Sequence, residues 1–431
     1  MTLNEFIKVI NGISNMDSNE LIGEIKTDTR KLNKGDIFIA LKGKKYNGED
    51  FIENAIKKGA IACVSEKINN KNCIQVNSTI ETLFLLGNYM RNKYNIPLIA
   101  ITGSNGKTTT KDLLSHVLSS KYKVLKNEGS KNNIIGISDT LFRLNNNHDI
   151  IVMELGTNHL GEISYLSKMC NPNTSIIINI GSSHLEYFKK RKNIFKEKLS
   201  IIDGMNNKNL IVNGDDKYLK KLKYFKCGLN KNNNLKAYNI KGYKDHITFN
   251  IYLGKEYKVI FNNPGLHFIN DILLVIKCAM DYNIKIKTII NRIKNFKLTE
   301  MRMNIINLKD NVLINDCYNS SLESIIGGIN YLKNIDNKKI FIIGDILELG
   351  KHSKKIHKKI NKKLKTIKNK EVYTIGEYSK YIKGNNFKSV EELINYINID
   401  KIKNSYIYVK GSRRMSLDKF IKFIINEKRV I

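Results

Sequence analysis

Short, continuous apolar runs recur along the chain, and each ends in a polar residue or a glycine. Residues 97–102 read PLIAIT before a glycine, residues 149–154 read DIIVME, and residues 174–180 read TSIIINI before GSSH. Continuous apolar runs favour strands buried on both faces, and amphipathic segments between them, such as KDLLSHVL, favour helices. Strands and helices that alternate in this way predict a parallel sheet covered by helices.

The pattern changes near residues 95 and 297, which divides the chain into three predicted units. Residues 1–95 carry strand and helix patterns such as DIFIALKG and FIENAIKKGA. Residues 96–297 contain the buried runs, followed around 235–262 by the apolar–polar alternation of antiparallel strands. Residues 298–431 return to alternating strands and helices. The predicted fold class is therefore α/β, with a small N-terminal domain, a central parallel-sheet domain and a C-terminal Rossmann-like domain.

A glycine turn, GSNGKT from Gly103 to Thr108, lies between a predicted strand and a predicted helix. Backbone N–H groups in such a turn and the positive end of the helix dipole bind phosphate. Lys107 can reach the outer phosphates of a nucleotide, and the Thr108 hydroxyl can hold Mg²⁺. The usual spacing is longer, because Ile101 stands where the first glycine would be. Both flanks are nevertheless correct, so this P-loop predicts binding of ATP or GTP.

Two further candidate residues fall at the same edge of the predicted sheet. Glu154 ends one buried run, and His184 follows another. In open parallel sheets, ligands bind beyond the carboxyl ends of the strands. A buried carboxylate is costly unless it is paired or bound to a metal, which makes Glu154 a candidate cation ligand. A lone histidine is more often structural, so both roles stay open for His184 on the residues alone.

Composition adds a formal net charge of +33. The lysines are spread along the chain rather than gathered in one arm with aromatic residues, so a genomic bias towards Lys, Asn and Ile explains the charge better than specific nucleic-acid binding. The six cysteines lack C-x-x-C spacing and indicate reduced thiols of a cytoplasmic protein. No apolar run is long enough to span a bilayer, and the first residues do not have the pattern of a signal peptide.

Several strings taken together resemble the Mur ligase family. They are TDTRKLNKGDIFIALKGKKYNGEDF, TGSNGKTTTK, GSKNNIIG, MELGTNHLGEI, SSHLEYF, the RMN that contains Arg302, NDCYNSS, GDILELG and VKGSRRM. They lie in all three predicted units and extend over most of the chain. The resemblance implies an ADP-forming amide ligase. Its first domain would bind a uridine nucleotide sugar, its central P-loop domain would bind ATP, and its last domain would close over both and position the incoming amine.

Within the family, the strings ELGTNHLGEI, HLEYF and GDILELG are most similar to the ligase that adds D-alanyl-D-alanine to UDP-N-acetylmuramoyl-tripeptide in peptidoglycan precursor synthesis. The resemblance implies that the tripeptide carboxylate attacks the γ-phosphate of ATP, and that the dipeptide amine then attacks the acyl phosphate. The implied partners are these two substrates, with ATP and Mg²⁺ (two ions expected) as cofactors. We expect no specific nucleic acid, no membrane span and a monomer.

The resemblance also gives a role to individual residues. The implied catalytic and metal-binding residues are Lys107, Thr108, Glu154, His184 and Lys198. The implied nucleotide-binding residues are Gly103, Ser104, Asn105, Gly106, Lys107, Thr108, Thr109, Asn270, Arg302 and Asp316. The implied substrate-binding residues are Thr29, Arg30, Asn132, Asn133, Lys410 and Ser412. Lys198 would carry a carbamate formed with CO₂, although Leu199 and Ser200 replace the Gly-Glu that usually follows it.

The chain departs from the family pattern elsewhere too. Phe268 stands where an Asn is usual, Asn315 where an Asp is common, and Ser321-Leu322 where Asn-Pro is common. Alternative interpretations are the ligase that adds the third peptide residue, a folylpolyglutamate synthetase, a nucleotide-regulated binding protein without chemistry, and a polyanion-binding protein. The sequence does not indicate whether the third peptide residue is lysine or a diaminopimelate.

Overall fold

The computed structural model describes residues 1–43, 46–67 and 72–428. Within these residues the chain forms three sheets, of four, nine and six strands, one after another along the sequence. Helices cover the sheets, so the predicted α/β class with three units is confirmed. Residues 429–431, at the end of the predicted C-terminal domain, lie outside the described residues. Among the helices that the structure describes, none has the length and apolar character needed to cross a membrane.

The N-terminal unit is a parallel sheet with the strand order β1-β2-β3-β4. Its elements are α1 (Leu3–Val9), β1 (Ile25–Lys26), β2 (Ile37–Ile39), α2 (Ile52–Lys57), β3 (Ala62–Ser65), β4 (Cys73–Gln75) and α3 (Thr79–Tyr94), with 3₁₀ turns at Thr29–Lys31 and Gly48–Phe51. Helix α3 begins after Ser78, whose hydroxyl accepts a hydrogen bond from the Glu81 N–H, and ends at Asn95 in the left-handed conformation. The predicted boundary at residue 95 thus falls where α3 ends.

The central unit contains the buried runs of the sequence. Its elements are β5 (Leu98–Thr102), α4 (Lys107–Leu118), β6 (Val124–Lys126), α5 (Ile134–Phe142), β7 (Ile150–Glu154), α6 (Glu162–Cys170), β8 (Thr174–Ile177), α7 (Leu185–Phe188), α8 (Arg191–Leu199), β9 (Asn209–Asn213), β10 (Phe225–Gly228), β11 (Leu235–Gly242), β12 (Ile247–Tyr252), β13 (Glu256–Phe261), α9 (Phe268–Asp281) and α10 (Ile286–Lys294), with 3₁₀ turns at Ser200–Gly204 and Leu219–Lys221. Strands β5, β7 and β8 are fully buried, as continuous apolar runs predict.

The order of the central sheet explains how distant parts of the sequence meet. The order is β13-β12-β11-β10-β9-β8-β5-β7-β6, parallel from β6 to β11 and antiparallel from β11 to β13. Strand β5 lies between β7 and β8. The glycine turn after β5, Glu154 at the end of β7 and the segment after β8 that leads to His184 therefore lie side by side at one edge.

The C-terminal unit has the strand order β14-β15-β19-β16-β17-β18, with only β14 antiparallel to its neighbour. Its elements are β14 (Asn304–Asn307), β15 (Asn311–Asn315), α11 (Leu322–Lys333), β16 (Lys338–Gly344), α12 (Ser353–Leu364), β17 (Lys370–Ile375), β18 (Asn385–Phe387), α13 (Val390–Tyr396), β19 (Ser405–Lys410) and α14 (Asp418–Lys428), with 3₁₀ turns at Gly350–His352, Ser379–Tyr381, Ile399–Lys401 and Arg413–Met415. Residue 297, the second predicted boundary, lies in the connection between α10 and β14. Both boundaries stay predictions.

The contact between α11 and β19 gives a stability prediction. A Cβ atom at Gly328 would lie 2.2 Å from Cζ of Tyr408, which is fully buried, so we expect Gly328→Ala to overpack this contact. Overpacking typically costs about 1–3 kcal/mol, and each kcal/mol lowers the melting temperature of a domain this size by roughly 2–4 °C. Scanning calorimetry should show a loss of several degrees.

The matched control is Gly327→Ala, one residue earlier on the same helix. A Cβ atom there meets only the His267 side chain, at 3.1 Å, which can turn aside. Both variants gain the higher helix propensity of alanine. The Gly327 variant should therefore melt at or above the wild-type temperature. Equal melting temperatures for the two variants would contradict the packing argument.

Candidate active site

A cavity of about 1290 Å³ lies between the central and C-terminal units. A drug-sized ligand occupies a site of about 300–1,000 Å³, so this cavity has room for more than one ligand. The sequence-predicted residues in its wall are Ser104, Asn105, Gly106, Lys107, Thr108, Thr109, Asn132, Asn133, Glu154, His184, Arg302, Asp316, Lys410 and Ser412. The predicted residues that do not line it are Thr29, Arg30, Gly103, Lys198 and Asn270.

The glycine turn forms the start of helix α4. Gly106 has φ +82°, and a Cβ atom there would lie 2.8 Å from Oδ2 of Asp271, so only glycine fits. No side chain caps the helix, which leaves its first N–H groups open to an anion. The Lys107 ammonium donates to the Gly103 carbonyl at 2.9 Å. Burial lowers the pKa of Lys107, and the Glu154 charge opposes this.

Glu154 is only 1% exposed and accepts two hydrogen bonds from neutral groups. Thr108 Oγ1 donates to Oε2 at 2.8 Å, and Asn132 Nδ2 donates to Oε1 at 2.6 Å. Asn127 fixes the backbone, because its side chain accepts from the Glu154 N–H at 2.9 Å and donates to the Glu154 carbonyl at 3.1 Å. No salt bridge within the described part of the chain neutralises this carboxylate, so its charge is available to a cation.

The donor set around Glu154 fits Mg²⁺ in kind. Carboxylate and hydroxyl oxygens are the hard ligands that Mg²⁺ prefers, and this ion usually takes its remaining ligands from water and substrate phosphates. Among the residues that the structure describes, no group of three or more His, Cys, Asp or Glu side chains could enclose a metal. A Mg²⁺ site that takes only the Glu154 carboxylate and the Thr108 hydroxyl from the protein agrees with this ligand preference and with the lack of a larger cluster among the described residues.

His184 faces the C-terminal unit. Its Nδ1 atom lies 2.6 Å from Oε2 of Glu348, in a direction that does not meet hydrogen-bond geometry. The residue has φ +57° and immediately precedes α7. Its neighbour Ser183 donates to the carbonyl of Ser104 in the glycine turn at 3.2 Å. His184 therefore lies beside the glycine turn, and its metal-binding role stays a prediction.

Lys198 lies on α8, behind the cavity wall, and is only 3% exposed. Burial is the main cause that lowers its pKa well below the usual value, and the charge of Lys107 adds to this. Glu197 and Glu154 act in the opposite direction. Lys198 is thus within electrostatic reach of both Lys107 and Glu154. Lys196, the neighbouring alternative, is exposed.

Glu197 is a site residue that sequence reasoning missed. Its buried carboxylate accepts hydrogen bonds from the Thr157 hydroxyl at 3.0 Å, the Gly161 N–H at 2.6 Å and the Ile163 N–H at 2.8 Å. It therefore binds the N-terminal end of α6 and anchors the loop that follows Glu154. The adjacent Lys198 is held by the same anchored helix. The only sequence signal was an acidic residue within a lysine-rich segment.

Arg302 brings a cation from the C-terminal unit to the glycine turn. Its Nη2 donates to Thr108 Oγ1 at 3.0 Å. Its guanidinium lies 4.2 Å from the centre of the Tyr318 ring, and the Tyr318 hydroxyl donates to Ser130 Oγ at 2.5 Å. The planar cation is therefore held in place by stacking and lies next to the phosphate turn.

Lys410 and Ser412 bind other parts of the protein. Lys410 Nζ lies 2.7 Å from the Asp316 carboxylate and donates to the carbonyls of Asp316 and Asn319, each at 3.1 Å. The Ser412 hydroxyl accepts from the Leu347 N–H at 2.9 Å. These contacts hold neighbouring loops of the C-terminal unit together. Substrate contact by either residue stays a prediction.

Three further predicted residues, Asn132, Asn133 and Asn270, lie in different surroundings. Asn132 binds Glu154, whereas Asn133 caps α5 by accepting from the Gly136 N–H at 3.0 Å. Asn270 lies outside the cavity wall, which its neighbours Phe268 and Asp271 line instead. Burial raises the pKa of Asp271 well above its usual range.

The two predicted uridine contacts in the N-terminal unit do not meet the cavity. Arg30 is exposed, and its guanidinium pairs with Asp28 at 2.8 Å. Thr29 precedes it in a 3₁₀ turn. Their role as a uridine-diphosphate site stays a prediction.

The first turn of α11 links the C-terminal unit to the glycine turn. Ser321 donates to Asn105 Oδ1 at 2.7 Å. Glu323 accepts from the Ser182 hydroxyl at 2.9 Å and forms an ion pair with Arg191. Ser321 also caps α11, where the family commonly has Asn-Pro. These contacts bring the two units together over the cavity.

Three family models match consecutive parts of the chain. They describe the Mur ligase family catalytic domain (residues 21–104), the Mur ligase middle domain (residues 101–279) and the Mur ligase glutamate ligase domain (residues 301–413). Together they extend over most of the sequence.

Relatives and solved structures match over nearly the whole chain. A Buchnera aphidicola (subsp. Baizongia pistaciae) protein named UDP-N-acetylmuramoyl-tripeptide--D-alanyl-D-alanine ligase is 34% identical over 94% of this chain and 93% of its own. The crystal structure of MurF from Acinetobacter baumannii has a TM-score of 0.92 at 26% identity, and the match covers 99% and 98% of the two chains. MurF from Thermotoga maritima, solved with ADP, shares the fold with a TM-score of 0.87 at 24% identity, over 94% and 98%.

The contacts of Glu323 give a prediction about closure. Glu323→Ala removes a charge-assisted hydrogen bond and an ion pair between the units. The hydrogen bond is worth about 1.5–3 kcal/mol, and the ion pair, which is screened by solvent, up to about 1 kcal/mol. We expect the balance between closed and open forms to shift towards open by roughly tenfold or more. Small-angle X-ray scattering should give a larger radius of gyration than for the wild type.

The control is Glu391→Ala, which removes an exposed ion pair with Lys419 on the same unit and away from the cavity. Its radius of gyration should equal that of the wild type. Identical scattering from the Glu323 and Glu391 variants would show that the α11 contacts do not hold the units together.

Proposed function

We propose a function for this chain, which belongs to the Mur ligase family. It joins D-alanyl-D-alanine to UDP-N-acetylmuramoyl-tripeptide and converts ATP to ADP and phosphate. The observation that carries the proposal is the meeting of the phosphate turn, Glu154 and Arg302 in one cavity with room for more than one ligand. A protein that had lost the chemistry would be expected to lose Glu154 or His184 first, and both are present. The three-domain match to ligases of this name supports the same activity.

The reaction has two steps. The tripeptide carboxylate attacks the γ-phosphorus, the bond to the β–γ bridging oxygen breaks, and ADP leaves. The dipeptide amine then attacks the carbonyl carbon, the C–N bond forms, the C–O bond to phosphate breaks, and the nitrogen loses a proton. Both steps depend on the positions of the substrates and on neutralisation of the phosphate charge. Lys107 and Arg302, which both contact the glycine turn, would supply the positive charge.

Glu154 and Thr108 would hold Mg²⁺, and His184, whose neighbour Ser183 contacts the glycine turn, is proposed as a further ligand. The ion supplies positive charge to the phosphates. Asn132 orients the Glu154 carboxylate by its hydrogen bond, and Asn127 fixes the backbone behind it.

Lys198 is proposed to carry a carbamate. Its lowered pKa leaves more of the amine neutral near pH 7, and only the neutral amine adds CO₂. The carbamate is an anion, so it would reverse the repulsion between Lys198 and the neighbouring cation Lys107. The anchored α8 and the exposure of Lys196 favour Lys198 as the modified residue.

All six cysteines lie within the described ranges and are buried. Their spacing, without C-x-x-C pairs, is typical of proteins from reducing compartments, so we place the reaction in the cytoplasm. A monomer remains our expectation for the quaternary state.

The test is phosphate release by purified protein with ATP, Mg²⁺ and UDP-N-acetylmuramoyl-tripeptide, with and without D-alanyl-D-alanine. We expect release that depends on the dipeptide, together with the mass of the pentapeptide product. Lys107→Ala and Glu154→Ala should each abolish it, because they remove a phosphate ligand and the buried carboxylate. Release only with a single amino acid and a shorter acceptor would move the chain to another step, and tight ATP binding without release would favour a binding protein.

A separate variant tests the carbamate. Lys198→Ala should lose most turnover, and a short-chain carboxylic acid that fills the space should restore part of it, because it supplies the missing anionic oxygen. Lys196→Ala, on the exposed face of the same helix, should keep wild-type turnover and show no response to the acid. Wild-type activity in the Lys198 variant, or no rescue, would remove Lys198 from the site.

A further inference from the structure

Two loops of the C-terminal unit meet at the mouth of adjacent parallel strands. Strands β16 and β19 pair in parallel register, so the loops at their carboxyl ends, residues 345–350 and 411–416, are neighbours. A Cβ atom at Gly411 would lie 3.0 Å from Cα of Gly344, which shows how closely the loops approach. Both loops contribute side chains to the cavity wall.

Hydrogen bonds fix the two loops to each other. The Leu347 N–H donates to Ser412 Oγ at 2.9 Å, and the Ser412 N–H donates to the Asp345 carbonyl at 3.1 Å. The Asp345 carboxylate accepts from the N–H groups of residues 377–379, at 2.6–3.2 Å. Side chains on these loops are therefore presented from a rigid support, as recognition of a small ligand requires.

Glu348 is the acidic side chain that the first loop presents to the cavity. Its backbone has φ +61°, an unfavourable conformation for a residue with a side chain, and its carbonyl accepts from the Glu186 N–H at 3.0 Å. The Glu348 side chain is 39% exposed, and its Oε2 atom lies 2.6 Å from Nδ1 of His184.

Arg414 is the cation that the second loop presents. It lines the cavity and is exposed, and it forms no ion pair with any residue that the structure describes. The adjacent Arg413 differs, because its guanidinium pairs with Asp418 at 3.2 Å. A cation without a described ion pair and a carboxylate thus lie on two neighbouring loops, and both side chains line the cavity.

We propose that Glu348 and Arg414 form a subsite for a short zwitterionic peptide, in which Glu348 binds the ammonium group and Arg414 binds the terminal carboxylate. The inference rests on the proposed function only in identifying that peptide as the incoming dipeptide. A carboxylate and a guanidinium are complementary to the two ends of such a ligand.

The subsite also has a direction. Glu348 contacts His184 of the central unit, which lies next to the glycine turn, whereas Arg414 forms no ion pair with a described residue of that unit. The ammonium end of the dipeptide would therefore face the phosphate-binding side, where the acyl group is activated. This is the end that must form the new bond, so the order of charges agrees with the chemistry.

The test compares D-alanyl-D-alanine with D-alanyl-D-alanine amide, which lacks the terminal carboxylate, in the complete enzyme with saturating ATP and tripeptide substrate. Arg414→Met should raise the KM for the dipeptide by about tenfold or more, since a charge-assisted hydrogen bond is lost. It should leave the KM for the amide within about twofold. The KM for ATP should not change.

Glu348→Gln is tested with a ligand that lacks the ammonium group, propionyl-D-alanine, used as a competitor of the dipeptide. The variant should weaken dipeptide binding by about tenfold and leave binding of propionyl-D-alanine unchanged. The matched controls are Glu391→Gln and Lys419→Met, which remove the same charges from an exposed pair of the same unit. Their KM values should equal those of the wild type.

Equal effects of Arg414→Met on the dipeptide and its amide would overturn the proposal. The proposal would also be overturned if Glu348→Gln weakened the binding of propionyl-D-alanine as much as the binding of the dipeptide. A Glu348→Gln variant that changes only the KM for ATP would overturn it too, since Glu348 would then act through His184 alone. If the wild-type enzyme shows no dipeptide-dependent release, the proposed function fails. Calorimetric binding of the dipeptide then decides the subsite, and absence of binding, or equal affinity for the amide, overturns it.

Discussion

The arrangement of the site depends on one buried charge, the carboxylate of Glu154. It lies at the end of a strand buried on both faces, where an unpaired ion is expensive, and the hydrogen bonds that it accepts come from neutral donors. The cations Lys107 and Arg302 contact Gly103 and Thr108 of the glycine turn instead of forming an ion pair with Glu154. The Glu154 carboxylate can therefore bind a cation, and the hydrogen bonds from Thr108 and Asn132 fix its orientation.

Polar groups of the C-terminal unit also contact the phosphate-binding side of the cavity. Arg302 and Ser321 both end on residues of the glycine turn, and Glu323 binds the segment that leads to His184. Closure over the cavity is thus mediated by polar groups that also border the phosphate site. Ser321 also caps α11, so the end of this helix that faces the glycine turn has a side-chain cap in addition to the contact with Asn105.

The sequence predicts best what is local. Continuous apolar runs identify strands, and a glycine turn followed by a helix identifies the phosphate site, because backbone geometry alone imposes both patterns. Glu197 could not be found in this way, since its partners lie 34 to 40 positions away in the chain and meet it only after folding. Asn270 and Asp271 show the same limit: adjacent positions on one helix face different surroundings, and only packing decides which of them lines the cavity.

Asp271 shows that burial can change the charge that a residue type suggests. Burial raises the pKa of this side chain well above its usual range, so the protein disfavours its charged form. A Cβ atom at Gly106 would lie 2.8 Å from Oδ2 of Asp271, so this carboxyl group borders the turn that is proposed to bind phosphate. An acidic residue of the sequence therefore opposes an anion at the turn less than its formal charge suggests.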